Sequence, residues 1–247
     1  MSRWKYILRL ARARLLPRPL KRIFSQIAKH QSISKLSVLE LFARTGEWHT
    51  IEYSTRVKNL ELWEIDASLE SILAKRFPKA TICIGDTYDN LLSSPKKFDV
   101  LISDNPISRH GTHHEHFDLF PSVFEWLADN SFLIVNIIPI VDEEARRVYP
   151  SAFDYDHMQD RQTFYGSADS QRIPISDVIS RYRSLCEAAG WEVLETAVEP
   201  RNAVMNYLLL VLRNERGRRP EIAQYFKGSW TEPTALTLLS MAENTVV

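Results

Sequence analysis

Val38-Leu39-Glu40-Leu41-Phe42-Ala43-Arg44-Thr45-Gly46 is an apolar run that reaches an acid and then turns through a glycine, and the reading of the fold depends on it. A strand leaving into such a turn must bend sharply and pass close to a ligand, which favours residues with no side chain in the way. Gly46 meets that need and Arg44 does not. The stretch suits a nucleotide-like cofactor, so a cofactor-dependent enzyme is the leading reading.

Apolar, strand-like runs recur after this one and alternate with helical segments: residues 38–42, 60–65, 80–84, 98–103 and 132–138. Two more, 191–198 and 207–212, follow a helix that is expected to start at an N-cap, Ser176, and to end at Gly190. Their short connection allows an antiparallel pair. The pattern predicts an α/β fold, a doubly wound, mostly parallel seven-stranded sheet with helices on both faces and the last strand antiparallel. Residues 142–174 are polar and aromatic and too long for an ordinary connection, so an insertion serving as a lid is expected there. Within it, residues 153–157 and Phe164-Tyr165-Gly166 offer rings and polar tips for lining a pocket or for seating the lid on its own domain.

The 247 residues, 45% of them apolar, suffice for a full core and exclude a disordered chain. No stretch is long and apolar enough to span a bilayer, and the N-terminus lacks a signal-peptide pattern, which leads to the expectation of a cytoplasmic protein. Cys83 and Cys186 have no metal-ligand spacing and read as core thiols. Zero net charge conceals a polarity: ten of the 31 basic residues and no acid lie in the first 39 positions, leaving 21 basic against 31 acidic residues beyond them. The organisation that follows is a basic amphipathic helical leader over 1–35, a domain over 36–213 and a tail over 214–247. Pro17 and Pro19 split the leader into two short helices, the second bearing Leu20, Ile23, Phe24, Ile27 and Ala28 at helical spacing.

Over residues 36–213 the chain resembles the class I S-adenosylmethionine-dependent methyltransferases, which have this order of elements and an acidic residue and Gly-rich turn after the first strand. The resemblance implies S-adenosylmethionine as cofactor. It makes Glu40 the acid that orients the loop or the methionine ammonium group and Gly46 the closing glycine, with Phe42 and Ala43 in the same turn against the cofactor. Arg44 stands where the family usually has another glycine. Asp66, with Glu64 as the alternative, would accept the ribose hydroxyls, since a carboxylate offers two oxygens to a diol. Asp86 and Thr87, after the third strand, fall beside the adenine. Asp104, in Ser103-Asp104-Asn105-Pro106, falls beside the methyl donor and substrate. Any one of these acids reads equally well as a surface turn residue, but four at successive strand ends converge on one crevice. A nicotinamide dehydrogenase is disfavoured because the Gly-x-Gly-x-x-Gly fingerprint is absent.

Methyl transfer needs alignment of a nucleophile with the methyl group and, for a hydroxyl or ammonium nucleophile, removal of a proton. Four of the seven histidines fall in residues 110–116, directly after Asp104-Asn105-Pro106. His116 and His110 are the general-base candidates, with Asp104 and Glu115 as orienting groups or alternative bases. The same residues read equally as a solvated loop and helix start, and no recognised spacing supports a metal there. Asn105-Pro106 is similar to part of an Asn-Pro-Pro-aromatic signature whose second proline and aromatic are missing here, so no amide or nucleic-acid substrate follows. The expected acceptor is an oxygen or nitrogen of a small molecule or a lipid- or sugar-linked precursor. The leader, through residues 3–28, suits peripheral membrane contact or docking on its own domain; nucleic acid is the weakest partner. A catalytically degenerate binding or scaffold protein of the same fold is the alternative that Arg44 keeps open.

Overall fold

The computed structural model describes residues 18–47, 49–87, 96–104, 109–110, 113–114, 120–148, 150, 155–202 and 204–214. Seven strands form one sheet: β1 (Ser37–Leu41), β2 (Asn59–Glu64), β3 (Thr81–Ile84), β4 (Phe98–Ser103), β5 (Leu127–Ile137), β6 (Trp191–Pro200) and β7 (Asn206–Asn214). Their order is β3-β2-β1-β4-β5-β7-β6. β1 to β5 run parallel, and β7 is antiparallel to both β5 and β6. The expected doubly wound sheet with its antiparallel last strand is therefore present. The direction of winding reverses at β1, which has β2 on one side and β4 on the other, so the crevice between β1 and β4 is the topological switch point.

Two apolar layers sandwich the sheet, as the two-residue period of a strand buried on both faces requires. Val38, Ile102, Ile134 and Leu209 face one layer, which is covered by α1 (Pro19–Ile27) through Leu20, Ile23, Phe24 and Ile27. Leu39, Leu101, Leu133 and Leu210 face the other, covered by α5 (Ile175–Ala188) through Val178, Tyr182, Leu185 and Cys186. Of the connecting helices, α2 (Glu70–Arg76) follows β2, while α3 (Glu143–Val148) and α4 (Tyr155–Tyr165) lie in the segment after β5.

α1 is the second leader helix. Pro19 opens it, where a missing N–H costs nothing. Its apolar stripe is buried in the sheet layer, and it is tied to the edge strand β6 by Arg22 Nε to Glu199 Oε2 at 2.5 Å and His30 Nε2 to Glu195 Oε2 at 3.1 Å. The stripe proposed for a lipid surface is thus consumed inside the protein from Pro19 to Ile27; residues 1–17 lie outside the described residues. Among the described residues no helix is long and apolar enough to cross a membrane.

Several strand ends, those of β2, β3, β6 and β7 among them, differ from expectation by one or two residues, and three further boundaries differ for a visible physical reason. β1 stops at Leu41 because Phe42 leaves the extended region with φ 59°. β5 begins at Leu127 rather than 132, since Leu127 pairs with Phe98 of β4 and β7 pairs with the polar residues Asn130 and Ser131 as well as with the apolar run. The Ser176 cap is corrected: Pro174 occupies the N-cap and its carbonyl accepts the N–H groups of Asp177 and Val178, while Ser176 Oγ bonds to Asp177 Oδ1 at 3.1 Å. Gly190, at φ 81°, ends the helix as expected.

The described part of the segment over 142–174 is seated on its own domain, while Phe153 and Asp154 lie outside the described residues. Arg161, 2% exposed, donates to the carbonyls of Ile138 at 2.7 Å and Ser170 at 2.8 Å, and so ties α4 to the exit of β5. Phe164 is buried in the main core and its ring lies 5.4 Å from that of Tyr182, so it serves the core and does not line a pocket. Both cysteines are free thiols; Cys186 is buried and its pKa is pushed well up by burial, and Cys83 is half-buried beside Glu61.

Candidate functional site

The turn after β1 has an unusual backbone. Phe42, Arg44 and Gly46 adopt φ of 59°, 49° and 60°, three left-handed residues at alternate positions, and only the last is a glycine. A side chain in this region meets its own carbonyl, at a cost of roughly 1–2 kcal/mol per residue. Neighbours compensate by holding the turn. Ala43 N–H donates to the Trp63 carbonyl at 3.0 Å, and Gly46 N–H to that of Ala43 at 2.8 Å. Arg44 N–H donates to Glu64 Oε2 at 2.6 Å. A Cβ on Gly46 would stand 2.3 Å from Cε2 of Phe77, so glycine is required there for space as well as for φ.

Glu64 organises this side of the crevice. Besides Arg44, its carboxylate accepts the N–H groups of Ile65 and Asp66, both at 3.0 Å, and Glu64 is buried. With three backbone donors it fixes the turn, so its alternative role on a ribose is corrected. Asp66 is exposed; it caps the 3-10 turn Ala67–Leu69 by accepting Ser68 N–H at 2.9 Å, and the bonds from Ser68 hold its carboxyl below the ordinary value. Gly85 N–H donates to the Glu64 carbonyl at 3.0 Å, which brings Asp86 and the buried Thr87 to the same end of the sheet.

Strand register explains the polar residues next to this turn. Glu40 stands in one row with Ile102, Ile134 and Leu209 on the α1 face. A carboxylate in an apolar row has few partners, and Glu40, 4% exposed, finds two hydroxyls. Thr50 Oγ1 donates to Oε1 at 2.8 Å and the Tyr53 hydroxyl donates to Oε2. Burial raises its pKa from 4.5 to about 7, the two hydrogen bonds opposing and the Asp104 charge assisting. Of the two roles read for Glu40, the loop-orienting one matches these contacts.

One row higher on the same face, Asp104 follows Ile102 by two residues and Asn136 faces Tyr207. Asp104 receives Asn136 Nδ2 at 2.6 Å, the Tyr207 hydroxyl at 2.7 Å and the Arg201 guanidinium at 3.2 Å on each oxygen. A carboxylate so fully paired holds other groups in place and is poorly suited to remove a proton. Its bond from Nδ2 fixes the amide of Asn136, which is fully buried, and leaves Oδ1 without a partner among the described residues. The ring of His49 meets Tyr207 edge-on at 5.6 Å.

Thr50, Tyr53, Asn136, Arg201 and Tyr207 were not anticipated from sequence. Only Asn136 left a trace, as a polar residue inside the apolar run of β5. His110 belongs to a two-residue pairing, Arg109–His110 with His113–His114, described by its backbone alone. Glu115, His116 and the Asn105-Pro106 step lie outside the described residues. Among the described residues no group of three or more His, Cys, Asp or Glu side chains is placed to hold a metal.

No family model matches the sequence, and no curated protein matches it. Solved structures do. The chain is similar to the CurJ carbon methyltransferase at a TM-score of 0.55 and 11% identity, covering 78% of this chain and 53% of that one. It is also similar to magnesium protoporphyrin IX methyltransferase from Synechocystis PCC 6803, solved with bound S-adenosylhomocysteine (SAH), at 0.52 and 12%, covering 85% and 87%. The fold is that of the class I methyltransferases. This chain spans about half the CurJ structure, and both likenesses concern the fold alone.

Proposed function

We propose that the protein is an S-adenosylmethionine-dependent methyltransferase acting on an oxygen or nitrogen of a small-molecule or lipid- or sugar-linked acceptor. The observation that carries this reading is the turn at the switch point, whose backbone makes left-handed steps at residues 42, 44 and 46 beneath the carboxyl ends of β1 and β2. The SAH bound in the Synechocystis structure supports the choice of cofactor.

Phe42, Ala43 and Gly46 would lie along the methionine part, the exposed Asp66 would take the ribose, and Asp86 with Thr87 would border the adenine. When bound, S-adenosylmethionine supplies a methyl group on a sulfonium. The residues of this chain do the rest. Glu40 fixes the segment that follows the turn through Thr50 and Tyr53, and Asp104 holds Asn136, Tyr207 and Arg201. His110, His116 and Glu115 remain the proposed proton acceptors because of their place after β4.

Phe42 and Arg44 favour a second reading, a methyltransferase-like fold that no longer catalyses and serves as a binding or scaffold module through its basic leader, since both keep a glycine-like conformation without glycine. Calorimetric titration with S-adenosylmethionine and SAH, with NADH as control, decides between them. Micromolar binding of the first two alone supports the enzyme; no binding of either makes the scaffold reading the leader. Asp66→Ala is expected to weaken SAH at least tenfold without unfolding the protein, and unaltered affinity would remove Asp66 from the ribose.

A further inference from the structure

Beyond the β5 end of the sheet lies a cleft of about 370 Å³, within the range typical of small-molecule sites. Its walls come from three segments: Pro139 and Ile140 after β5, Arg172 to Ile175 leading into α5, and Val204 with Asn206 at the start of β7. The first two are clasped by Val141 N–H to the Gln171 carbonyl at 2.8 Å, Ile173 N–H to the Pro139 carbonyl at 2.9 Å, and Arg161 beneath them. The third is a turn in which Asn202 Oδ1 accepts Val204 N–H at 2.9 Å and Met205 N–H at 2.7 Å. Arg201, at the base of that turn, is the partner of Asp104, so the cleft wall and the polar cluster are one piece of structure.

The cleft is apolar with charged groups at its edge. Ile140 is 48% exposed and Ile175 40% exposed, two large hydrophobics left open on one concave surface. Two charged side chains line it. Asp142 is turned toward the start of α3, its Oδ1 accepting Ala145 N–H at 3.0 Å, and leaves Arg172 as the cation of the cleft. Arg172 has no ion-pair partner among the described residues, and it stands two residues before the 14-residue α5, whose N-cap Pro174 provides no side-chain cap. Asp177, the acid of that first turn, bonds to Ser176. An unpaired guanidinium beside an uncapped helix start favours an anionic group, and the isoleucine and proline walls favour an apolar body.

We propose that this cleft receives the methyl acceptor, and that the acceptor is a small apolar molecule bearing a carboxylate that pairs with Arg172; the word acceptor rests on the function proposed above. The test uses the full-length protein saturated with SAH and titrated by calorimetry with 3-phenylpropionate, 3-phenylpropanol and 3-phenylpropylamine. The acid is expected to bind at least tenfold more tightly than the alcohol or the amine. Arg172→Glu and Ile140→Asp, both at exposed positions, are each expected to lose at least tenfold of the acid's affinity while SAH affinity stays within twofold. Equal binding of acid and alcohol, or acid affinity unmoved by both substitutions, overturns the proposal. SAH binding without selection for the acid overturns the cleft assignment alone, and selection for the acid without SAH binding overturns the methyl-transfer reading alone.

Discussion

The two sides of the crevice solve the burial of a carboxylate differently. At the ends of β4, β5 and β7, Asp104 has a cation, an amide and a phenol, a full set of partners. Below the turn after β1, Glu40 has among the described residues only the neutral hydroxyls of Thr50 and Tyr53, and the backbone above it is strained at Phe42 and Arg44. One side is compensated charge. The other is a carboxyl that burial pushes toward its neutral form, under a backbone conformation that costs energy, and such features gather where a ligand repays them.

The largest effect is expected from breaking the compensated side. In Arg201→Met the Asp104 carboxylate loses its cation while staying 12% exposed, and stranding a buried charge typically costs about 3–5 kcal/mol. Urea denaturation should find a loss near the lower end of that range, since Arg201 is itself 19% exposed. Adding Asp104→Asn should recover part of it. A loss below about 1 kcal/mol would mean that the pair is not the compensation described.

Glu40 sharpens the contrast through pH. Its folded pKa of about 7 lies above the ordinary 4.5, so between those values the folded state holds more protons than the unfolded one, and stability must fall as pH rises. The contribution is complete below pH 4.5 and is lost through pH 7, about 3 kcal/mol in all at 1.36 kcal/mol per unit. Glu40→Gln, which mimics the neutral acid, should match the parent protein at low pH and exceed its stability at pH 8. Parallel stability curves for the two would show that Glu40 does not titrate in this window.

How much of this was legible in the sequence depended on whether local pattern or distant pairing decided the outcome. β4 is bounded by its own apolar run, and residues 98–103 were read to both ends. The polar start of β5 depends on pairing with Phe98 of β4 and with Leu212 and Arg213 of β7, more than 70 residues away, and does not show in its own pattern. Asp104 stood out as an acid at a strand end, but its character follows from Arg201 and Tyr207, which nothing near it in the chain announces. Glu64, in sequence only the alternative to Asp66 on the ribose, owes its turn-holding role to three backbone donors that no pattern reveals. The leader's periodicity was correct for α1, and no pattern could tell whether lipid or the sheet would cover it.

On the strained side, Gly46→Ala tests whether the turn tolerates a side chain anywhere. The new methyl would meet the Phe77 ring and hold φ near 60°, for an expected cost of about 2 kcal/mol. Phe77→Leu in the same chain should relieve the clash and leave about 1 kcal/mol of backbone cost. Full recovery would show that only space was at stake.

The smallest effect is the most informative about function. Arg44 keeps its left-handed φ of 49° with the help of Glu64, which bonds its backbone N–H and would bond a glycine equally well. Arg44→Gly should therefore relieve roughly 1 kcal/mol of strain and return part of it as chain entropy, a net gain of a few tenths of a kcal/mol. Arg44→Ala keeps the strain and removes the guanidinium. If the side chain obstructs the cofactor, both variants should bind SAH more tightly; if strain alone weakens the turn, only the glycine variant should. Weaker binding in both would give the arginine a positive role at the crevice and turn the apparent defect in this turn into a contact.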